Sequence, residues 1–320
     1  MTDELKKIGF YTLEDQRAQY CSSTSPLWRC ELILTNKCNF KCKYCRGLNS
    51  NNDITATDAV WTIELWARQQ LKNIRFSGGE PTLWPDLVDL VRYARSLNIN
   101  RIALSTNGSA SPRLYQRLAL AGVNDFSISL DSCCADTNNK MSGRNDVFRR
   151  IIANILMLSE ISYVTVGIVL TEDNVAEIED TILFASSLGV ADIRIIPAAQ
   201  VTNRLPHVNI PDEILAKHPI LKYRINNIKQ GRPVRGTTKE NQSCPLVLDD
   251  MAVWNGKHYP CIIYLREQGQ PIGEVGHEMR KERYNWWINH DPYKDPICRN
   301  NCLDVCVDYN TRVEEINCVL

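Results

Sequence analysis

The sequence predicts an α/β protein, an open partial (β/α)6 barrel followed by a small cysteine-rich domain. Three observations lead to this fold class. Short apolar runs alternate with amphipathic segments through the first two thirds of the chain, the alternation stops after Pro197, and six of the 13 cysteines lie beyond residue 243. Strand–helix alternation is typical of a parallel sheet with helices packed outside it, and six units are too few for a closed eight-stranded barrel.

Each predicted strand is a short apolar run, and each predicted helix is a longer segment with apolar residues at helical spacing. We expect strands at 31–35, 74–77, 102–105, 125–130, 163–170 and 193–197. We expect helices near 55–70, 85–97, 112–121, 145–158 and 174–188. Four prolines and the lack of a βα pattern predict an irregular segment at 198–243. The expected domains are an N-terminal extension at 1–27, the barrel at 28–200, a basic linker at 201–243 and the cysteine-rich domain at 244–320.

The composition excludes several classes of protein. The 37 basic residues match 37 acidic ones, so no overall charge attracts the chain to nucleic acid or to a membrane. The N-terminus lacks the apolar core of a signal peptide, and the clearest apolar stretch, 163–170, is too short to span a bilayer. We therefore expect a cytoplasmic protein, in which clustered cysteines bind metal or do redox chemistry more often than they form disulfides. Cys21, Cys30, Cys133 and Cys134 lack ligand spacing, and we interpret them as small hydrophobic residues.

Three cysteines lie within eight residues, directly after the first predicted strand. They are Cys38, Cys42 and Cys45. α/β barrels place their chemistry at the C-terminal ends of the strands, where this segment is expected. Zinc sites usually take four ligands, whereas three thiolates fit a [4Fe–4S] cluster with one iron left open. A zinc site that borrows a distant fourth ligand remains the alternative from spacing alone.

The segment around these cysteines, CNFKCKYC, resembles the CxxxCxΦC signature of the radical S-adenosylmethionine (SAM) superfamily, with Tyr44 as the aromatic residue. The resemblance implies a partial TIM-like barrel in which the three cysteines ligate a [4Fe–4S] cluster and SAM chelates the fourth iron. It also implies that an electron, from a flavodoxin- or ferredoxin-type donor, cleaves SAM to methionine and a 5′-deoxyadenosyl radical. Tyr44 would lie beside the adenine of SAM.

Other strand ends complete the resemblance. Gly78, Gly79 and Glu80 follow the second strand and resemble the family's GGE motif, which receives the SAM amino group. Polar contacts to the ribose and carboxylate of SAM are implied for Ser105, Asn107, Ser129 and Asp131, and Arg144 is a candidate partner of the carboxylate. From the residues alone, an Asn-Gly turn, a helix cap and a solvated arginine remain open for Asn107, Asp131 and Arg144, respectively.

The C-terminal cysteines predict a second metal site. Cys244 and Cys261 frame a β-hairpin pattern with an Asn-Gly turn, and Cys298, Cys302 and Cys306 follow at Cys-x3-Cys-x3-Cys spacing, with Cys318 beyond. The arrangement resembles the SPASM and twitch appendages of radical SAM enzymes but lacks the full SPASM spacing. It implies one auxiliary [4Fe–4S] cluster held by Cys244, Cys261 and two of the following three cysteines. A structural zinc in the same place remains open.

The substrate is less constrained by the sequence. Residues 221–239 contain no acid and six basic residues, namely Lys222, Arg224, Lys229, Arg232, Arg235 and Lys239. Such a run binds phosphates or forms a solvated loop. About 37 residues precede the first cysteine cluster, fewer than a peptide-recognition domain needs. We expect an enzyme acting on a small polar substrate, namely a nucleoside, an amino acid or an amino-acid-like adduct on a nucleobase, free or within nucleic acid. Maturation of a ribosomally made peptide and a non-enzymatic iron–sulfur or zinc scaffold are the alternatives.

Overall fold

The computed structural model describes residues 21–47, 52–200, 207–237, 240 and 242–317. Its barrel strands are β1 (Arg29–Thr35), β2 (Asn73–Gly78), β3 (Arg101–Thr106), β4 (Asp125–Ser129), β5 (Tyr163–Leu170) and β6 (Asp192–Pro197). The helices between them are α1 (Ala56–Arg68), α2 (Leu87–Ser96), α3 (Pro112–Ala121), α4 (Ala135–Ser142), α5 (Phe148–Ile161) and α6 (Ile178–Ser187). All six strands are parallel and pair in chain order, and the sheet is not closed, which confirms the predicted open barrel.

The elements form where local chemistry favours them. β1 is buried along its whole length, and β4 is buried up to its last residue. Ser111 caps the N-terminus of helix α3 by accepting a hydrogen bond from the backbone N–H of Leu114. Pro112 is the first residue of the helix, a position at which no backbone N–H is needed. The sequence analysis missed α4, a short polar helix that follows the end of β4.

The C-terminal region extends the same sheet. Strand β7 (Asp250–Trp254) pairs parallel to β1, and β8 (Lys257–Tyr259) and β9 (Gly273–Glu274) follow antiparallel, giving the order β6-β5-β4-β3-β2-β1-β7-β8-β9. The predicted hairpin is confirmed, with Asn255 and Gly256 at positive φ of 50° and 72°, as a type I′ turn requires. The cysteine-rich part is therefore joined to the barrel through backbone hydrogen bonds at β1.

The remaining helices pack around this hairpin. They are α9 (Ile262–Arg266), α10 (Met279–Asn289), α11 (Pro296–Asn301) and α12 (Asp304–Asn317). Arg283, fully buried on α10, donates hydrogen bonds to the carbonyl oxygens of Val247, Asp250, Tyr259 and Pro260. One side chain thereby ties α10 to both strands of the hairpin and to the segment before it.

The expectation of an irregular segment at 198–243 is wrong. Helices α7 (Asp212–Lys217) and α8 (Pro219–Lys229) lie there. Two of the four prolines interpreted as breakers stand at helix starts, Pro211 just before α7 and Pro219 as the first residue of α8, where a missing N–H costs nothing. Asp192 of β6 accepts hydrogen bonds from the backbone N–H groups of Ile220 and Leu221, which anchors α8 on the barrel.

The basic run is not a solvated loop within its described part. Arg224 is buried and forms an ion pair with Asp304 at 2.6 Å, and Arg232 forms one with Asp308 at 2.5 Å. Both acids belong to α12, so these arginines bind the linker to the C-terminal helix. Lys239, Cys318 and residues 1–20 of the expected N-terminal extension lie outside the described residues. The part of the chain that the structure describes has no helix long and apolar enough to cross a membrane.

Candidate active site

A cavity of about 370 Å³ lies at the C-terminal ends of the barrel strands. Its wall includes residues from the loop after β1, from the ends of β2 to β6 and from helices α8 and α9. Cys38, Cys42 and Cys45 all line it. A volume of this size is typical of small-molecule sites. The position is the one that parallel α/β barrels use for chemistry, because their strand ends converge there.

The loop that carries the three cysteines is fixed from several sides. Asn39 lies between the first two cysteines and exchanges hydrogen bonds of 2.8 Å with the side chains of Asn107 and Ser109 beyond β3. The backbone N–H of Lys41 donates to the carbonyl oxygen of Ser142 at 2.8 Å, at the end of α4. The sequence analysis missed Asn39, since one asparagine inside a cysteine motif gives no spacing signal.

A further contact closes this loop against the C-terminal region. Arg46, next to the third cysteine, forms an ion pair with Glu267, which follows α9. Gln200 donates from Nε2 to the carbonyl oxygen of Tyr44 at 3.1 Å. The loop therefore touches the ends of β3 and α4, the segment after β6 and the C-terminal region, so its cysteines are positioned by the assembled fold.

The two adjacent glycines are needed where β2 meets this loop. A Cβ atom on Gly78 would lie 2.2 Å from the carbonyl oxygen of Thr35, and one on Gly79 would lie 2.3 Å from that of Lys37. The backbone N–H of Gly79 donates to Thr35 at 2.7 Å, and that of Glu80 donates to Lys37 at 2.8 Å. Both glycines also line the cavity. They let the cysteine loop pack directly on the end of β2 while leaving backbone at the cavity surface.

Glu80 lies behind the cavity wall. Its side chain is fully buried and is not among the residues that line the cavity. The carboxylate accepts hydrogen bonds from the backbone and hydroxyl of Thr82, the hydroxyl of Thr106 and the backbone N–H of Asn107, at 2.6 to 3.1 Å. Burial raises the pKa of Glu80, and these four donors oppose the rise. The described geometry makes Glu80 a positioning residue, which holds the end of β3 against the end of β2.

Four other expected SAM contacts do line the cavity. They are Ser105, Asn107, Ser129 and Asp131. The Tyr44 hydroxyl donates to the carboxylate of Asp131, which also accepts from the backbone N–H of Val169 at 2.9 Å. Burial raises the pKa of Asp131 to about 6. Arg144 is exposed and does not line the cavity, so the structure places it apart from the group it was expected to join.

The spacing of the thiols bears on the kind of metal group they can hold. Zn–S bonds of about 2.3 Å in a tetrahedron place thiolates about 3.8 Å apart. Among the described residues, two sets of three potential ligands have all their ligand atoms within 4.8 Å of one another, and neither contains Cys38, Cys42 or Cys45. The thiols of Cys38, Cys42 and Cys45 are therefore not all within the spacing that one zinc ion requires. Burial raises the pKa of Cys38, and it raises that of Cys42 to about 12, so binding a metal group there must displace thiol protons.

Five further cysteines gather in the C-terminal region. Cys244, Cys261, Cys298, Cys302 and Cys306 come from the two ends of the hairpin and from α11 and α12. The thiols of Cys302 and Cys306 contact each other, and Cys244 and Cys261 lie near enough to raise the pKa of Cys302 further. Cys298 lies 3.5 Å from the Nε2 atom of His290. The fold thus brings together all five residues that the sequence singled out. Within the described chain no three of these thiols have the spacing of a zinc site, although Cys298 has that spacing with His290 and Asp295.

The comparisons with known proteins agree with this geometry. A family model described as "Radical SAM superfamily" matches residues 32–185. The "Probable GTP 3′,8-cyclase" of Saccharolobus solfataricus is 32% identical over 176 residues, covering 53% of this chain and 57% of the cyclase. The "AdoMet-dependent heme synthase" of Methanosarcina barkeri is 30% identical over 162 residues, covering 49% and 46%. The chain therefore spans about half the length of the curated relatives it matches.

Solved structures extend the likeness beyond the barrel. anSMEcpe with bound AdoMet superposes with a TM-score of 0.63 at 14% identity, over 91% of this chain and 96% of that one. Streptococcus suis SuiB bound to S-adenosylmethionine gives 0.58 at 17% identity, over 86% of this chain and 67% of that one. At these identities the likeness concerns the fold alone. Because it covers nine tenths of the chain, it includes the cysteine-rich region.

Proposed function

We propose that this chain is a radical SAM enzyme, in which Cys38, Cys42 and Cys45 hold a [4Fe–4S] cluster that reductively cleaves SAM in the barrel cavity. The observation that carries the proposal is that these three thiols face one cavity together with the polar ends of three neighbouring strands, β2, β3 and β4. Their spacing leaves the zinc alternative without support among the described residues. The substrate would bind in the same cavity, beside SAM.

When bound, the cluster supplies an electron that splits SAM into methionine and a 5′-deoxyadenosyl radical, which removes a hydrogen atom from the substrate. The residues of the chain itself bind SAM and orient it. Gly78 and Gly79 present backbone at the cavity wall for the amino group of SAM, and Tyr44 lies beside Asp131, whose carboxylate is ionised above a pKa of about 6. Ser105, Asn107 and Ser129 add hydrogen-bonding groups along the strand ends.

The C-terminal thiols are proposed to hold one auxiliary [4Fe–4S] cluster. Cys244 and Cys261 would be two ligands, and two of Cys298, Cys302 and Cys306 would complete the set. The convergence of all five on one region supports the assignment. A flavodoxin- or ferredoxin-type protein would supply electrons to the first cluster.

The proposed substrate is a small polar molecule of the nucleoside or amino-acid class. The relatives of highest identity quoted above carry names that refer to GTP and to heme, both small molecules. Peptide maturation is the second candidate, because the fold is also similar to that of SuiB bound to its precursor peptide SuiA. The volume of about 370 Å³ favours the small molecule, since SAM must share it with the substrate.

The test is anaerobic reconstitution followed by measurement of iron, sulfide and 5′-deoxyadenosine. About eight irons per chain and deoxyadenosine that depends on a reductant are expected, four irons for each cluster. Replacing Cys38, Cys42 and Cys45 by alanine should remove half of the iron and all SAM cleavage. Cys134→Ala is the matched control, because Cys134 is exposed and does not line the cavity. Zinc without iron, or deoxyadenosine formed by the triple variant, would reject the proposal.

A further inference from the structure

Positive charge is concentrated in the cavity. Seven arginines and two acidic residues line it. Those at its base have carboxylate partners: Arg75 contacts Asp125 at 3.2 Å and Arg29 contacts Glu31 at 3.3 Å. Such pairs neutralise one another in the interior of the barrel, so they leave no charge for a ligand. The excess positive charge therefore lies in the upper wall of the cavity, where the barrel meets the C-terminal region.

Most arginines of the upper wall have a partner as well, and so does Arg194 of β6. Arg46 is paired with Glu267, and Arg224 with Asp304. Arg266 donates from Nη2 to the carbonyl oxygen of Gly78 at 3.4 Å. These contacts connect the cysteine loop and β2 with the C-terminal region. The three arginines therefore serve as structural links between parts of the fold.

Arg235 differs from them. It is 4% exposed and lines the cavity, and its Nη2 atom donates to the carbonyl oxygen of Pro197 at 3.2 Å. Its Nε and Nη1 atoms are buried without a hydrogen-bond partner in the described chain, and no carboxylate there forms an ion pair with it. Burying a charge without a counter-ion is strongly unfavourable.

The position of Arg235 is fixed by backbone. Arg235 forms a β-bridge with Leu303, and the next residue, Gly236, donates its N–H to the carbonyl oxygen of Cys302 at 2.8 Å. Burial, together with Arg46 and Arg224, lowers the pKa of Arg235 to about 10, against an opposing effect of Glu267 and Asp304, so the side chain still carries its charge at neutral pH. A fixed, buried and charged guanidinium facing a cavity is suited to an oxyanion.

We propose that Arg235 binds an oxyanion of the substrate, a carboxylate or a phosphate, on the upper wall of the cavity, with the positive field of Arg46 and Arg224 in support. The inference rests on the proposed function in one respect, namely that the bound anion belongs to the molecule that the radical attacks. SAM also carries a carboxylate, but its expected contacts are at the ends of β3 and β4. Arg235 contacts the end of β6, two strands from β4 and three from β3 in the sheet order.

The experiment is calorimetric titration of the reconstituted holoenzyme with inorganic phosphate, pyrophosphate and glutarate, each with and without saturating SAM. Phosphate and glutarate distinguish the two oxyanion classes. The variants are Arg235→Gln and Arg235→Lys, with Lys222→Gln as control, because it removes the same charge from an exposed position on α8. Losing one partner of a buried charged contact weakens binding about 30-fold or more. We expect that loss for Arg235→Gln, a smaller loss for Arg235→Lys and no change for Lys222→Gln.

Three outcomes would overturn the inference. One is that no anion binds the wild-type protein up to about 10 mM, weaker than ordinary substrate affinity. Another is equal anion binding by wild type and Arg235→Lys, which decides the question even where Arg235→Gln does not fold. The third is competition between SAM and the anion, which would assign Arg235 to the carboxylate of SAM.

Failure of the proposed function is separately visible. Lys222→Gln, which changes an exposed residue outside the cavity wall, should keep its full iron content and should form 5′-deoxyadenosine from SAM at the wild-type rate when no substrate is present. If neither wild type nor variant cleaves SAM, the proposed function fails, whereas the anion titration still reports on Arg235 directly.

Discussion

Replacing Gly79 by alanine tests whether the cysteine loop depends on direct packing against the end of β2. The added Cβ would lie 2.3 Å from the carbonyl oxygen of Lys37 and 2.7 Å from that of Asn36. An ordinary contact needs about 3.4 Å or more, so the loop must move by about 1 Å. Residue 37 precedes the first cysteine directly. A displacement of about 1 Å near reacting groups reduces rates about 100-fold.

The assay is the rate of 5′-deoxyadenosine formation together with iron content after anaerobic reconstitution. We expect SAM cleavage to fall about 100-fold in Gly79→Ala. Iron should fall towards the four atoms of the auxiliary cluster, since the nearest atoms that the added Cβ meets belong to Asn36 and Lys37 and to none of the C-terminal cysteines. The backbone of Gly79 is not in the left-handed region, so the effect is steric.

Gly256→Ala is the matched control. Its Cβ would meet nothing within 4 Å, although its φ of +72° is strained for alanine. The control should lose some stability, of the order of 1 kcal/mol, and keep its SAM cleavage. Wild-type iron content and wild-type SAM cleavage in Gly79→Ala would refute the reasoning, because they would show that the loop is free to shift without consequence.

Three more outcomes are expected. Glu80→Gln should lower the free energy of unfolding by about 2–3 kcal/mol and weaken SAM binding, because the amide NH2 group would face hydrogen-bond donors that now point at a carboxylate. Chemical denaturation measures the first effect, and titration with SAM measures the second. Arg283→Met should lower the free energy of unfolding by about 3–5 kcal/mol, since buried carbonyl oxygens lose their donor, and an unchanged denaturation midpoint would contradict this. Burial raises the pKa of the Asp192 carboxyl group to about 7, above its value in the unfolded chain, so the folded chain binds the carboxyl proton more tightly. The free energy of unfolding should therefore fall by about 2 kcal/mol as the pH rises from about 5 to 7. Asp192→Asn should flatten that pH dependence.

The parts of the site that the sequence predicts are those whose chemistry depends on close spacing. Cys38, Cys42 and Cys45 lie on one loop, so any fold that follows the strand with a turn brings them together. The hairpin between Cys244 and Cys261 was predictable for the same reason, because Asn255 and Gly256 determine a two-residue turn locally.

Other residues depend on contacts between distant segments. Glu80 belongs to a motif visible in the sequence, yet its burial behind the wall follows from the approach of β3, which supplies Thr106 and Asn107. Arg144 seemed an equally good contact and is exposed. The prolines before and within α7 and α8 were misinterpreted, because the sequence alone does not tell whether a proline begins a helix or ends one.

By itself, therefore, the sequence determined the alternation that makes an open parallel barrel, the two groups of cysteines and the glycines at the end of β2. Local periodicity and short spacing carry that information, since they act within a few residues. The tertiary structure decided that β7 joins β1 in one sheet, that five distant cysteines converge, and that Arg235 is buried beside the cavity with no carboxylate of the described residues at ion-pair distance. Burial and charge balance depend on segments far apart in the chain, and only folding brings those segments into contact.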